Sequence, residues 1–112
     1  MNKDRFNIVI DTKKFVLFIN KIIVNYPKRE YILKNKLEET SYEILELIYY
    51  TNLIDDRLNN QKLIISKISM LDFYLEVSYN NKCITEKVLN QGSRKLEDIK
   101  KMMYGWVATN ES

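Results

Sequence analysis

The chain has no histidine, one cysteine, one proline and two glycines in 112 residues. Without histidine it lacks the commonest general base, the usual zinc ligand and every serine–histidine or cysteine–histidine nucleophile pair. The single cysteine, Cys83, excludes an internal disulfide and is typical of a reducing compartment. Gly92 and Gly105 are too far apart to form a glycine-rich phosphate loop. So little proline and glycine favours long helices over many short strands.

Long hydrophobic runs are also missing. The most apolar stretch, residues 15–24, is interrupted by Asn20 and Lys21 and is too short to cross a bilayer. No signal-peptide pattern opens the chain. The composition, 46% hydrophobic and 29% charged residues, is that of a globular protein. We therefore expect a single cytoplasmic domain covering residues 1–112, with one core and no membrane contact.

Apolar residues at spacings of three and four predict four amphipathic helices. The helices cover about residues 11–25, 28–53, 57–79 and 85–107, followed by a tail at 108–112. Residues 6–10 either extend the first helix or lie as an arm, and matched helix lengths favour the extension. Short connections make each helix antiparallel to the one before it. The predicted fold class is therefore all-α, an up-down-up-down antiparallel four-helix bundle.

Each helix has an inward-facing stripe. The predicted stripes are Phe15, Ile19 and Ile22; Leu33, Leu37, Ser41, Ile44 and Ile48; Ile64, Ile68, Leu71 and Leu75; and Gly92, Leu96, Ile99, Met103 and Trp106. Gly92 lies within its stripe, which indicates a close approach between helices. Second apolar stripes flank the first three: Val16 and Ile23; Tyr42, Leu45 and Tyr49; and Leu63, Met70, Tyr74 and Val77. An isolated bundle would leave these second stripes partly in water, so they predict self-association.

The helix ends carry their own signals. Asp11 is placed to cap the first helix and Thr85 the fourth. Ile84 and Leu89 flank Thr85 at the spacing of a hydrophobic staple. Pro27 suits the first turn of the second helix, because its missing N–H would have no helical partner there.

Carboxylates are the only catalytic groups that occur in a regular pattern. Glu39, Glu43 and Glu46 share one face of the second helix. A di-metal site in a bundle also needs histidines at Glu-x-x-His spacing, and this chain has none. We interpret the three glutamates as a solvated face or as partners of a basic neighbouring helix. We accordingly expect no enzymatic activity, no metal site and no cofactor.

Charge is distributed in blocks along the chain. Residues 1–37 carry nine basic and three acidic side chains, residues 38–56 carry six acidic and no basic ones, and the remainder carries nine basic and six acidic ones. The net charge is +3. Packing the helices side by side would give such a chain a polarised surface.

Two clusters of basic residues are candidates for binding RNA or DNA. The candidate residues are Lys28, Arg29, Lys34 and Lys36 near the start of the second helix, and Arg94, Lys95, Lys100 and Lys101 on the fourth. Such charges bind phosphates, and nearby aromatic rings such as Tyr31 and Tyr104 can stack on bases. Tyrosines on helices are more often packing residues at the margin of a core. The basic residues can equally serve solubility or pair with the acidic segment 38–56.

Four segments carry a resemblance to a known family. They are residues 26–31 (YPKREY), 70–73 (MLDF), 83–87 (CITEK) and 104–106 (YGW). In this order the chain resembles, over about residues 12–107, the four-helix-bundle accessory proteins of diversity-generating retroelements, of the accessory variability determinant type. It is also similar to the related proteins encoded in intervening sequences of 23S rRNA genes. Tyr104 stands where family members often have the first glycine of Gly-Gly-Trp.

The resemblance implies a non-catalytic protein that forms a ring-like homopentamer, contacts a reverse transcriptase and binds nucleic acid. The alternative is a structural or protein-interaction scaffold of the 23S rRNA intervening-sequence type, which would have no affinity for nucleic acid. Electrostatic binding to nucleic acid weakens steeply with added salt, whereas an apolar interface barely responds, so the two readings can be separated by titration.

Overall fold

The computed structural model describes residues 3–111, and the side chains of residues 7–110. Within this part the chain forms four α-helices: α1 Lys3–Ile22, α2 Tyr31–Asn52, α3 Leu58–Asn80 and α4 Glu86–Ala108. Helices α1 and α3 each pack on both α2 and α4, so α2 and α4 occupy opposite corners of the bundle. The connections are short and the molecule measures 46 × 22 × 18 Å. The prediction of an all-α, up-down-up-down four-helix bundle is confirmed.

The core is built from the predicted inward stripes. Every residue of the predicted stripes on α2, α3 and α4 is buried, and so are Phe15 and Ile19 on α1. Ile22 is only half-buried, and the α1 stripe continues through Ile23 instead. Burying one such aliphatic or aromatic side chain stabilises the fold by roughly 1.5–3 kcal/mol. Together the buried residues of the four helices form one continuous core along the length of the bundle.

Helix α1 begins earlier than the sequence predicts. Asp11 lies inside the helix and caps nothing, so its predicted role as an N-cap is wrong. Ile8 and Thr12 are fully buried and continue the Phe15–Ile19 stripe toward the N-terminus. Because Thr12 is polar, it hides this continuation in the sequence. The favoured extension of the helix over residues 6–10 is confirmed.

The junction between α1 and α2 also differs from the prediction. Two 3₁₀ turns, Ile23–Asn25 and Lys28–Glu30, lie on either side of Tyr26 and Pro27. Pro27 has an extended ψ of 148°, and its carbonyl accepts a hydrogen bond from the Glu30 amide at 2.9 Å. Helix α2 therefore begins at Tyr31 and not in the turn that follows proline. At the other end of the chain, a 3₁₀ turn at Thr109–Glu111 occupies most of the predicted tail, whose last residue, 112, lies outside the described residues.

The start of α4 matches the prediction. The Thr85 side chain caps the helix by accepting a hydrogen bond from the Val88 amide at 3.2 Å. Ile84 and Leu89, at the spacing of a hydrophobic staple, are both partly buried and pack against the core. Just before this cap, Lys82 adopts a left-handed φ of 64° and the Cys83 amide donates to the Ser78 carbonyl at 2.8 Å. This pattern is a Schellman ending of α3, with lysine in the position that usually holds glycine.

Gly92 allows α4 to approach its neighbours closely. A Cβ atom at this position would lie 2.6 Å from Leu75 Cδ1 on α3 and 3.3 Å from Phe18 Cε2 on α1. Both distances are shorter than ordinary van der Waals contact. The predicted role of Gly92 in close helix packing is confirmed.

The predicted second stripes are partly exposed on α2 and α3, where Leu45, Tyr74 and Val77 are half-buried, and the one predicted on α1 is buried. Tyr42 and Tyr49 on α2 and Leu63 and Met70 on α3 are all more than 40% exposed. On α1 the prediction is wrong, because Val16 and Ile23 are both buried. Both residues lie beside the Phe15–Ile19 stripe, so the core-facing side of α1 is wider than a single stripe. Among the described helices, none has a stretch long and apolar enough to span a membrane.

Candidate nucleic-acid interface

The four basic residues predicted on α4 divide between three directions. Arg94 and Lys101 are exposed, seven residues apart on the outer side of the helix, and the Lys101 ammonium lies 3.8 Å from a Glu97 carboxylate oxygen. Lys95 turns toward α1, where its Nζ lies 5.6 Å from the centre of the Phe18 ring. Lys100 turns toward α3 and donates to the Ser69 hydroxyl at 2.9 Å. The cluster thus spans the outer half of the helix.

The four basic residues predicted near α2 lie at one end of the bundle. Lys28 and Arg29 are exposed in the 3₁₀ turn before the helix, outside α2 itself. The Arg29 guanidinium lies 3.9 Å from Glu30, a distance that gives a weak surface ion pair. Lys34 is half-buried, whereas Lys36 is exposed and lines a groove between α2 and α3. This cluster is spread over two sides of the helix.

The two basic clusters do not form one surface on a single copy of the chain. Helices α2 and α4 occupy opposite corners of the bundle, with α1 and α3 between them. A nucleic acid that touched both clusters would have to wrap around the bundle or bridge two copies of it. The sequence alone did not reveal this separation, because helix order along the chain does not give the position around the bundle.

A groove between α1 and α4 brings the predicted Arg94 and Lys95 together with residues that the sequence did not single out. It is lined by Phe18 from α1 and, from α4, by Lys87, Asn90, Gln91, Arg94 and Lys95. The groove is open to solvent, with a volume of about 840 Å³. Glu86 and Asp98 also line it and offset part of its positive charge. Lys14 and Lys21 are exposed on α1, four residues before and three residues after Phe18, so they flank the same side.

Phe18 could have been recognised from its sequence spacing. It lies three residues after Phe15 and four before Ile22, which places it at the edge of the inward stripe. Side chains at such an edge are partly exposed, and Phe18 is half-buried. Aromatic residues there can pack on the core and still present a face to a ligand.

Of the three glutamates predicted to share a face of α2, one pairs with a basic residue on a neighbouring helix. Glu43 accepts a hydrogen bond from the Lys67 ammonium of α3 at 2.7 Å, and the pair is partly exposed. Glu39 and Glu46 are exposed. Within residues 3–111, no group of three or more cysteine, aspartate or glutamate side chains could hold a metal ion. This face of α2 thus gives the α2–α3 side of the molecule an acidic patch opposite the basic outer side of α4.

An apolar patch lies on the same α2–α3 side, nearer the end that carries Lys28 and Arg29. Ile32 is 61% exposed and Phe73 53% exposed, and both line a groove floored by Leu33, Tyr74 and Val77. We call this the α2–α3 apolar patch; it comprises Ile32, Phe73, Tyr74 and Val77. Most of its area is carbon, so it would gain free energy if another surface covered it.

The tyrosines named with the basic clusters are both exposed. Tyr31 is 62% and Tyr104 56% accessible, so both rings can be reached from solvent. Two other tyrosines are engaged across the α1–α2 side. The Tyr42 hydroxyl accepts a hydrogen bond from the Asn20 amide at 3.0 Å, and the Lys13 ammonium lies 5.7 Å from the centre of the Tyr49 ring.

Cys83 shares the end of the bundle with Tyr26 and Glu30. Its pKa is raised by partial burial and by the Glu30 carboxylate, with Arg29 opposing the rise. A raised pKa keeps the thiol protonated, and a protonated thiol is a poor nucleophile.

No protein-family model matches this chain, and neither does any curated protein or solved structure.

Proposed function

We propose that this protein is a non-catalytic accessory protein that binds nucleic acid through basic helix surfaces and assembles with copies of itself. The observation that carries the proposal is the exposed basic side of α4 and α1. There Lys14, Lys21, Lys87, Arg94 and Lys95 outnumber Asp11, Glu86 and Asp98, while the acidic patch of α2 lies across the bundle. A one-sided positive surface attracts the phosphate backbone and orients the protein on it.

Assembly would make weak sites useful. A few lysine and arginine contacts on one chain give low affinity, but the same contacts repeated around a ring add by avidity. Since the two basic clusters lie at opposite corners of one bundle, neighbouring copies could present them side by side. The resemblance to the retroelement accessory proteins supports five copies and a reverse transcriptase as partner. The composition of the chain and its single cysteine favour a cytoplasmic location.

The test is binding of labelled RNA and DNA, measured by fluorescence anisotropy from low to high salt. We expect tight binding at low salt that weakens steeply as salt rises, with a logarithmic slope of about −0.9 for each phosphate contact on a duplex. Replacing Arg94→Gln and Lys95→Gln together should reduce the size of that slope by roughly two.

A charge-matched variant supplies the control. Lys62 and Lys82 are exposed and lie away from the α1–α4 groove. Lys62→Gln with Lys82→Gln removes the same net charge and should leave most of the affinity. Equal losses in the two double variants would show that net charge alone, and no defined surface, attracts the nucleic acid. No binding by the unaltered protein at low salt would overturn the proposal.

The second candidate function is a protein-interaction scaffold without affinity for nucleic acid. The observation that favours it is the α2–α3 apolar patch, because a partner that covered the exposed Ile32 and Phe73 would bury their apolar area. Under this reading the basic residues would pair with the acidic residues of a neighbouring copy. Association that persists at high salt, together with no binding of RNA or DNA, would favour the scaffold.

A further inference from the structure

The α1–α4 groove has a rigid aromatic floor. The Phe18 ring packs against the core, and its centre lies 6.0 Å from that of the Phe15 ring. An aromatic ring held from behind has little conformational freedom to lose when a ligand stacks on it. Phe18 is also only half-buried, so part of the ring faces the groove.

The opposite wall comes close to this ring because of Gly92. Phe18 Cε2 lies within 3.3 Å of where a Cβ atom on residue 92 would be, so the ring rests against bare backbone of α4. Any larger residue at 92 would displace the ring. One edge of the Phe18 ring therefore rests against the α4 backbone, and the Lys95 ammonium lies over its face, which is the part of the ring on which a base stacks.

The polar side chains around Phe18 can contact the base edges and the phosphates of a nucleotide. Asn90 and Gln91 are exposed on α4, and their amides can both donate to and accept from base edges. Lys87 and Arg94 supply positive charge for phosphates. Lys95 covers the ring at 5.6 Å, and its exposed, flexible side chain can leave the ring for a phosphate when a base stacks there.

We propose that the α1–α4 groove binds an unpaired nucleotide of a single-stranded nucleic acid, with its base stacked on Phe18 and its phosphates held by Lys87 and Arg94. This proposal rests on the proposed function and names the form of nucleic acid that the protein selects. In a duplex both faces of each base are covered by neighbouring base pairs, so a duplex can use the charges of the groove but not Phe18. Preference for single strands follows.

The experiment compares Phe18→Leu with Phe73→Leu. Both replace a phenyl ring by an aliphatic side chain, but Phe73 lies on the α2–α3 apolar patch, away from the groove. Each protein is titrated with a single-stranded oligonucleotide and with the matching duplex, as RNA and as DNA. A 2-aminopurine base in the single strand reports stacking by fluorescence quenching.

We expect Phe18→Leu to weaken single-strand binding roughly tenfold and to abolish the quenching, because stacking one base is worth about 1–3 kcal/mol. Duplex affinity and the salt dependence should not change. Phe73→Leu keeps the α2–α3 apolar patch apolar, so its mass in light scattering and its affinity for the single strand and the duplex should match those of the unaltered protein. A purine ribonucleotide monophosphate is then added as a competitor. If it relieves the quenching, the groove also binds free nucleotides; if the quenching persists, the groove binds only nucleotides that belong to a strand.

A second variant keeps the test independent of folding. Phe18 contacts the core, so its replacement is checked by thermal unfolding, but Asn90→Ala with Gln91→Ala changes only exposed residues. We expect this double variant to lose at least threefold in single-strand affinity with unchanged duplex affinity. If the unaltered protein binds duplex and single strand equally and Phe18→Leu weakens both or neither, the groove proposal is wrong while nucleic-acid binding stands. If it binds neither, both proposals fall.

Discussion

At the scale of single residues, burial changes the acid–base behaviour of Tyr26. Tyr26 lies at the end of the bundle and is 8% exposed. Burial raises the pKa of its phenol to about 12. The side chains of Cys83 and Glu30 add to this rise, and the Ser78 hydroxyl opposes it. The unfolded chain ionises its tyrosines near pH 10. Between the two values the unfolded state is ionised and the folded state is not, which favours unfolding.

We therefore predict that stability is unaffected by Tyr26 below pH 10 and falls as the pH rises from about 10 to about 12. By pH 11 the free energy of unfolding should have fallen by about 1 kcal/mol. One full pH unit between the two pKa values corresponds to about 1.4 kcal/mol, and solvent screening at this end of the bundle reduces the effect. Urea unfolding of the unaltered protein and of Tyr26→Phe at pH 9, 10 and 11 measures the effect. Titrating groups that do not interact with Tyr26 cancel in the difference, so parallel pH profiles would contradict the prediction. Making the same comparison in a Cys83→Ser background removes the one neighbour that titrates in this range.

The residues that the sequence failed to reveal share a property. Thr12 and Gln61 are polar yet fully buried, and Phe18 lies at the edge of a stripe. Apolar periodicity predicts burial from the polarity of each residue. It therefore does not predict a polar residue in the core or the partial exposure of an apolar residue at the edge of the core. These positions are decided by the neighbouring helices, which a single sequence does not show.

At the scale of helices, most of the architecture was predictable. Leu33, Leu37, Ile44 and Ile48 lie at spacings of four and seven, and a helix must place them on one face. The Thr85 cap was equally readable, because its hydrogen bond lies within four residues of chain. Helix starts that depend on long-range packing were not. Asp11 has the chemistry of a cap, but burial of Ile8 and Thr12 extends α1 past it.

The contact between α3 and α4 at Gly92 gives a prediction at this scale. Alanine would improve the helix propensity of α4 by about 1 kcal/mol. Its Cβ would also lie 2.6 Å from Leu75 Cδ1, and Leu75 is fully buried, so the methyl cannot move into solvent. Overpacking a core costs about 1–3 kcal/mol. We expect Gly92→Ala to destabilise the protein by about 1 kcal/mol in urea unfolding.

A double-mutant cycle isolates the cause. In a Leu75→Ala background the clashing methyl is gone, so Gly92→Ala should become neutral or stabilising by up to about 1 kcal/mol. Gly105 lies on another side of α4, because thirteen residues rotate the helix by more than half a turn beyond three full turns. Gly105→Ala should gain propensity in both backgrounds. Additive effects of Gly92→Ala and Leu75→Ala would contradict the steric explanation.

At the scale of the molecule, the candidate site was only partly predictable. The sequence identified Arg94 and Lys101 on one side of α4, and the structure places both there. It could not reveal that Lys95 lies over Phe18 or that the two basic clusters occupy opposite corners. Local spacing gives the face of a helix, but only the packing of whole helices gives the surface of the molecule.

The charge of the molecule and its apolar patch are related. The α2–α3 side combines the exposed rings and aliphatic chains of the α2–α3 apolar patch with the glutamates of α2, and the basic side of α1 and α4 faces the other way. A neighbouring copy that covers this side with a surface other than its own α1–α4 side buries the apolar patch and leaves the basic side open to nucleic acid. Such a head-to-tail contact repeats from copy to copy and closes into a ring if the rotation allows.

We therefore predict that the protein is larger than a 13.5 kDa monomer in light scattering at micromolar concentration. Phe73→Glu and Ile32→Lys should each shift the population toward monomer, because a charge in a desolvated interface costs several kilocalories per mole. Leu53→Lys, at a residue 84% exposed in the α2–α3 connection, is the matched control and should leave the mass unchanged. A monodisperse unaltered protein at the monomer mass would exclude self-assembly at this concentration. A larger mass that survives both patch variants would place the contact on another side of the bundle.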